Sequence, residues 1–87
     1  MATIFIPAQL KELSSGIGHV DVAADNVGEA IRQLDARFPG MKQRLCAGDE
    51  LKPGLQVAID GKMSSRGVLA KLDVAREVHF LPVIGGG

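Results

Sequence analysis

The alternation of apolar and polar residues predicts two strands near the start of this 87-residue chain. Residues 2–6 are rich in β-branched side chains, which favours a strand, and Pro7 ends it because proline cannot donate to a ladder. Residues 19–23 alternate polar and apolar positions, as a half-buried strand does. Ser14-Ser15-Gly16 marks a turn between them. The two strands are therefore predicted to form a hairpin.

A helix is the next element that the pattern predicts. Asp25 or Asn26 can cap it, and Asn26 followed by Glu29 resembles a capping box. One continuous apolar stripe then recurs at helical spacing, formed by Val27, Ala30, Ile31, Leu34 and Phe38. Pro39-Gly40 ends the helix. Its amphipathic pattern predicts that it covers one face of a sheet.

The second half of the chain predicts shorter elements. In chain order, we expect a helical turn at residues 41–46, a polar loop at 47–54, a strand at 55–59, an irregular segment at 62–72 and a last strand at 77–81. Asp60-Gly61, after the third strand, is a strong tight-turn signal. The irregular segment has room for a short strand near Val68 to Ala70.

Composition and charge narrow the class of protein. Hydrophobic residues make up 46% of the chain, which supports a packed core, and only three residues are aromatic. The formal net charge is zero, and neither a basic stripe nor an aromatic platform points to a nucleic acid. No segment approaches the length of a membrane span, and the amino terminus lacks a signal peptide pattern. We expect a single domain, a cytoplasmic location, no nucleic acid and no membrane partner.

The body of the chain offers little chemistry of its own. Cys46 is the single cysteine, which excludes an internal disulfide, and its apolar neighbours favour a buried hydrophobe over a sulfur relay or redox thiol. His19 and His79 have no second ligand nearby in sequence, so we expect no metal site. Ordinary surface histidines are the favoured interpretation, and a place for His79 on a docking face is the alternative. No serine or cysteine nucleophile has a visible base, and Gly16 and Gly18 do not complete a phosphate-binding motif.

The end of the sequence is its most specific feature. Three glycines, 85–87, follow the apolar segment 80–84. Glycine has no Cβ, so another surface can close around such a segment, and a carboxylate on this stalk could enter another enzyme's active site. We therefore expect a domain at residues 1–84 and a flexible glycine tail at 85–87. A terminus without function is the alternative, which the apolar-proline-apolar segment before the tail disfavours.

Four features of the chain together resemble the MoaD/ThiS family of ubiquitin-like sulfur carriers. They are the first strand ending in Ile6-Pro7, the helix after Val22-Ala23-Ala24-Asp25, the turn at Asp60-Gly61, and the ending from Glu77 to Gly87. The resemblance implies an α+β fold of the β-grasp (ubiquitin-like) type, with a mixed four- to five-stranded sheet packed on one main helix. Within the family, the chain most resembles the carriers of cysteine biosynthesis. This resemblance lies at residues 6–10, 38–40 and 44–45.

The resemblance also implies a chemistry for the tail. A ubiquitin-activating-type adenylating enzyme would use ATP and Mg²⁺ to convert the Gly87 carboxylate into an acyl-adenylate, and Gly86 would leave its channel free of side chains. A sulfur donor would then form a thiocarboxylate, which passes sulfur to an acceptor such as a cysteine synthase-like enzyme or the molybdopterin synthase large subunit. The chain itself would be a carrier and substrate, not an enzyme, and would bind no cofactor.

Two positions depart from the family pattern. Gly85 stands where family members have alanine, which loosens the tail, and Ala75-Arg76 lacks the Gly-Asp turn that is common before the last strand. Neither change removes the diglycine pair.

A docking surface follows from the implied fold, in which the first and last strands run side by side and parallel. If the buried positions of these strands face the helix, alternation places Phe5 and Leu81 on the opposite face. The predicted partner-binding residues are these two and the root of the tail: Phe5, Leu81, Pro82, Val83, Ile84 and Gly85.

Other functions remain compatible with the same tail. One is a ubiquitin-like modifier that forms isopeptide bonds with lysines of target proteins. Another is the small subunit of molybdopterin synthase. The last is an interaction domain whose tail has no chemistry.

Overall fold

The computed structural model of the chain describes residues 1–72 and 77–82. Its helices and strands, in chain order, are β1 (Ala2–Phe5), β2 (His19–Val22), α1 (Val27–Arg37), α2 (Met41–Leu45), β3 (Cys46–Ala47), β4 (Glu50–Leu51), β5 (Leu55–Ile59), β6 (Lys62–Ser64) and β7 (Glu77–Pro82). Two single-turn 3₁₀ helices, Ala8–Leu10 and Gly67–Leu69, lie in the connections.

The main sheet has five strands in the order β2-β1-β7-β5-β6. The central strands β1 and β7 are parallel, with Phe5 opposite His79, and the other pairs are antiparallel. The predicted hairpin of the first two strands and the parallel pairing of the first and last strands are therefore confirmed. β3 and β4 form a separate two-stranded sheet.

Helix α1 begins as the capping pattern predicts. The Asn26 side chain accepts a 2.8 Å hydrogen bond from the Glu29 backbone N–H. The Glu29 carboxylate accepts in turn from the N–H of Asp25, at 3.2 Å, rather than from that of the cap residue itself. These bonds satisfy backbone donors that the first turn leaves without helical partners. Of the predicted stripe, Phe38 is half-buried and the other four residues are buried: Val27, Ala30, Ile31 and Leu34.

The core lies between α1 and one face of the sheet. Ile4 of β1, Val78 of β7 and Val57 of β5 are fully buried beneath Leu34 and the rest of the helical stripe. The alternate residues of the same strands point to the other face of the sheet. This arrangement confirms the predicted α+β fold, a mixed sheet packed on one main helix.

Two parts of the second half differ from the prediction. The predicted loop 47–54 contributes to the β3–β4 hairpin, and β6 lies within the segment 62–72 predicted as irregular. No strand forms near Val68 to Ala70, because Gly67 has a φ of +56° and the chain makes a 3₁₀ turn there. That turn lies against the start of α1, where the carbonyl of Ala70 accepts from the Val27 N–H at 3.0 Å. The departure predicted at Ala75-Arg76 lies outside the described residues.

Candidate functional site

The face of the sheet that points away from α1, here called the outer face, carries the two predicted docking residues in the body of the protein. Phe5 is half-buried and Leu81 is 40% exposed. Phe5 lies directly opposite His79 of β7 on one side and His19 of β2 on the other. Phe5 and Leu81 are therefore on the predicted face, on adjacent strands.

Two histidines flank Phe5, so that ring contacts lie at the centre of this surface. The His79 imidazole stacks on the Phe5 ring with centroids 4.1 Å apart and planes 8° from parallel. His19 lies on the other side at 5.6 Å, tilted by 40°. The sequence favoured ordinary surface histidines, with His79 at the docking face as the alternative, and the structure places His79 on that face. The contact of His19 with Phe5 was not predicted; its signal is the position of His19 on the outward phase of the second strand. Three aromatic side chains thus form the centre of the outer face.

A groove lies at the carboxyl ends of β1 and β7. It has a cavity volume of about 290 Å³, and its walls include Phe5, Pro7, Gln9 and Leu81. Parallel strands that end side by side place their last side chains together at one edge of the sheet. The groove is where β7 ends, and therefore where the chain leaves the sheet toward its glycine segment.

Of the remaining predicted site residues, the structure describes only Pro82. Pro82 is the last residue of β7 and pairs with Leu55 of β5. Five predicted residues lie outside the described part of the chain: Val83, Ile84, Gly85, Gly86 and Gly87.

Cys46 lies away from the outer face, as a buried side chain that is 6% exposed. Burial raises the pKa of its thiol; the cationic Lys42 nearby opposes the shift, and Asp49 adds to it. A raised pKa suppresses the thiolate, which is the nucleophilic form. The predicted role of Cys46 as a buried hydrophobe is confirmed by its position in the core.

The described residues, 1–72 and 77–82, hold neither a metal cluster nor a membrane-spanning helix. Within them, no three His, Cys, Asp or Glu side chains come together to hold a metal ion. No helix among them is long and apolar enough to cross a membrane.

Comparison with known proteins gives a family and several structural relatives. The model of the ThiS family matches residues 4–87. Among solved structures, the chain is similar to a chain of the Amycolatopsis orientalis BexX/CysO complex, with 27% identity, full coverage of both chains and a TM-score of 0.86. No curated protein sequence matches it.

Two other relatives extend the likeness. CysO from Mycobacterium tuberculosis matches with 22% identity, covering 97% of this chain and 100% of that one at a TM-score of 0.84, a likeness that shows the fold. SAMP1 from Haloferax volcanii matches with 25% identity, 99% and 98% coverage and a TM-score of 0.69. The ubiquitin-like β-grasp fold predicted from the sequence is therefore confirmed.

Proposed function

The chain belongs to the ThiS family, and from that premise we propose that it is a sulfur carrier whose Gly87 carboxylate is activated and converted to a thiocarboxylate. The observation that carries this proposal is the extent of the family match, which runs through the glycine segment to residue 87. In support, the described chain leads to that segment from an edge of the sheet with exposed apolar side chains.

The proposed chemistry has two steps, both within a partner enzyme. A carboxylate is a poor electrophile, so an oxygen of the Gly87 carboxylate first attacks the α-phosphorus of Mg²⁺-bound ATP and releases pyrophosphate. Sulfide then attacks the acyl carbon and displaces AMP, leaving the sulfur on Gly87. Exclusion of water protects the acyl-adenylate from hydrolysis, and Gly86 lets the channel close tightly around the chain. The chain itself supplies the substrate carboxylate rather than a catalyst.

The outer face would hold the carrier on its partner during these steps. Phe5 and Leu81 offer apolar area beside the root of the tail, and Phe5 is flanked by two imidazoles that fix its ring. A few well-packed residues near the centre of a contact usually supply most of its binding energy. Docking there would direct the residues that follow Pro82 into the active site. Because activation consumes ATP, the proposal includes a cytoplasmic location.

One structural relative bears on the recipient of the sulfur. The similarity to a chain of the BexX/CysO complex supports an acceptor enzyme that binds the carrier directly, and we propose a cysteine synthase-like acceptor. A molybdopterin synthase large subunit is the alternative acceptor.

A ubiquitin-like modifier is the second candidate function. A solved structure similar to this chain, at 25% identity, is small archaeal modifier protein 1 of Haloferax volcanii. Modification of lysines would use the same adenylation of Gly87, and a lysine amine rather than sulfide would then attack the activated carbon.

The intact mass of the protein tests the proposal. The chain is incubated with ATP, Mg²⁺, sulfide and the adenylating enzymes of its host, and we expect a mass gain equal to the exchange of one oxygen for sulfur, located at Gly87. A chain lacking Gly87 and a reaction lacking ATP are the controls. An unchanged mass, with enzymes that activate another carrier, would contradict the proposal. Higher-mass conjugates that require Gly87 would favour the modifier.

A further inference from the structure

A cavity of about 260 Å³ lies on the helical side of the main sheet. Its walls come from the first turns of α1, from α2 and the start of β3, from the β3–β4 turn, and from the 3₁₀ helix Gly67–Leu69. A water molecule takes up about 30 Å³ of liquid, so the cavity has room for a ligand of about nine non-hydrogen atoms. Its described lining residues do not lie on the outer face, and the proposed sulfur chemistry does not use them.

The floor of this cavity is apolar. Ile31 of α1 is buried there, and Val68 of the 3₁₀ helix is half-buried. Cys46 also lines the cavity and is only 6% exposed, and its thiol has no hydrogen-bond partner among the residues that the structure describes. Small-molecule sites usually combine an apolar wall of this kind with a few placed polar groups.

Three charged side chains line the same cavity. They are Arg32 of α1, Lys42 of α2 and Asp49 of the β3–β4 turn. Within residues 1–72 and 77–82, none of these three charged groups has an ion-pair or hydrogen-bond partner. Burial raises the pKa of the Cys46 thiol, Lys42 lowers it and Asp49 raises it, so both charges lie near the thiol. The cavity therefore presents two cations and one anion that do not pair with each other.

The first turn of α1 adds a backbone donor to this cavity. The Val27 N–H bonds to the Ala70 carbonyl, and the Glu29 N–H bonds to the Asn26 side chain. The Gly28 N–H between them has no acceptor in the described chain, and Gly28 lines the cavity. The N–H groups at the start of a helix carry partial positive charge, so this donor favours a negatively charged group of a ligand.

These features favour a ligand that carries both charges. Asp49 would oppose a simple anion, and Arg32 with Lys42 would oppose a simple cation. We propose that the cavity binds a free aliphatic α-amino acid. The carboxylate of the ligand pairs with Arg32 and Lys42 and accepts from the Gly28 N–H, its ammonium group pairs with Asp49, and its side chain lies on the apolar floor. An amino acid of the size of leucine has about nine non-hydrogen atoms, which matches the cavity.

NMR titration of the isotope-labelled full chain with three compounds of related carbon skeleton tests this proposal. L-Leucine carries both charges, N-acetyl-L-leucine carries only the carboxylate, and isoamylamine carries only the ammonium group. The backbone N–H signals of Gly28, Asp49 and Val68 report on the cavity, and that of Phe5 reports on the outer face. We expect saturable shifts of the cavity signals with L-leucine and a dissociation constant on the order of 1 mM, because so small a ligand makes few contacts.

Removal of either charge from the ligand should weaken binding. We expect N-acetyl-L-leucine and isoamylamine each to bind about threefold or more weakly than L-leucine, since each leaves a charge of the cavity without its partner.

Substitutions in the protein should give matching losses. We expect Lys42→Gln and Asp49→Asn each to raise the dissociation constant of L-leucine about threefold to fivefold. The matched controls are Arg44→Gln, on the same helix as Lys42, and Glu50→Gln, beside Asp49; neither control residue lines the cavity. Both controls should change the dissociation constant by less than about 1.5-fold. Unchanged amide signals elsewhere in each variant show that its fold is intact.

Three results would overturn the inference. The first is the absence of saturable shifts at the cavity signals up to about 20 mM L-leucine. The second is equal binding of L-leucine and N-acetyl-L-leucine, which would replace the free amino acid by a simple carboxylate such as the end of a peptide. The third is an equal loss in the control variants, which would mean that only net charge matters. The proposed function is independent of these results, since adenylation of Gly87 is measured separately.

Discussion

At the scale of single residues, Phe5 organises the outer face. Its ring stacks on His79 and contacts His19, so a half-buried phenylalanine on a solvent-facing surface has aromatic neighbours on both adjacent strands. Leu81 lies one pleat further along β7, toward the groove, and remains 40% exposed. Exposed apolar groups beside a concave edge are typical of contact surfaces. The proposed docking contact would therefore depend on a few side chains at this end of the outer face.

Substitution of Leu81 tests whether docking depends on this side chain. We expect Leu81→Glu to reduce adenylation about tenfold or more, because a carboxylate would lose water on entering an apolar contact. The fold should persist, because the side chain is exposed. Leu69→Glu is the matched control: it is the same change at a leucine that is 66% exposed and lies outside the main sheet. Equal adenylation of both variants would exclude Leu81 from the docking surface.

The buried thiol of Cys46 predicts a pH dependence of stability. Burial raises its pKa in the folded state above the unfolded value, so the folded state holds the proton more tightly. The stability contributed by the neutral thiol is fully present below the unfolded pKa, about 8.5, and is lost as pH rises through the folded pKa.

The measurement compares wild type and Cys46→Ala by urea denaturation between pH 7 and pH 10. We expect the difference in unfolding free energy between the two proteins to change in favour of the variant at the alkaline end. A difference that stays constant across this range would show that the thiol does not titrate differently in the two states.

At the scale of elements, the start of α1 connects three parts of the molecule. Asn26 caps the helix and also forms a bridge with Lys71, and the adjacent Val27 N–H bonds to the carbonyl of Ala70. Gly28 in the first turn allows the chain at Val68 to approach, since a Cβ at position 28 would lie 3.3 Å from the Val68 carbonyl oxygen. The helix start thus also determines where the 3₁₀ turn lies.

Removal of the cap should destabilise the helix. We expect Asn26→Ala to lower the unfolding free energy by about 1 kcal/mol, because the Glu29 N–H loses its acceptor. Asn26→Asp is the control, since its carboxylate can accept the same bond and should retain most of the stability. Urea denaturation of the three proteins gives the comparison. A cost as large for aspartate as for alanine would show that something other than capping is lost.

At the scale of the whole molecule, α1 and the main sheet enclose most of the core of the described residues. A chain of this length folds with a modest margin, about 5 to 15 kcal/mol. Leu34 of α1 is fully buried opposite the central strands, whose outer face carries the site. The same sheet therefore provides one wall of the core and carries Phe5 and Leu81 of the proposed docking surface, so the packing of its inner face maintains the strand register of its outer face.

Truncation of a side chain in the core should lower the unfolding free energy substantially. We expect Leu34→Ala to reduce the unfolding free energy by about 2 to 5 kcal/mol, through lost burial and the cavity that remains. Leu69→Ala removes the same atoms from an exposed side chain and should cost about 0.5 kcal/mol or less. Thermal unfolding of both variants checks this. Similar midpoints would mean that α1 does not supply the core as the structure indicates.

Local signals in the sequence predict much of this fold. The capped stripe of α1 predicts its position and its buried side, and the two turn signals, at residues 14–16 and at Asp60-Gly61, lie in turns of the structure. The three short strands β3, β4 and β6 are not predicted. Strands of two or three residues are too short for alternation to be visible, and their formation depends on partners elsewhere in the chain.

The sequence by itself determined the helix, the longer strands, the family and the candidate tail, because periodicity, caps, turns and the glycine ending are local properties of the chain. Only the tertiary structure decided that His79 stacks on one side of Phe5 and that His19 lies on the other. These groups are far apart in sequence. Their neighbourhood depends on the register of strands, which the packing of the core sets and no local pattern records.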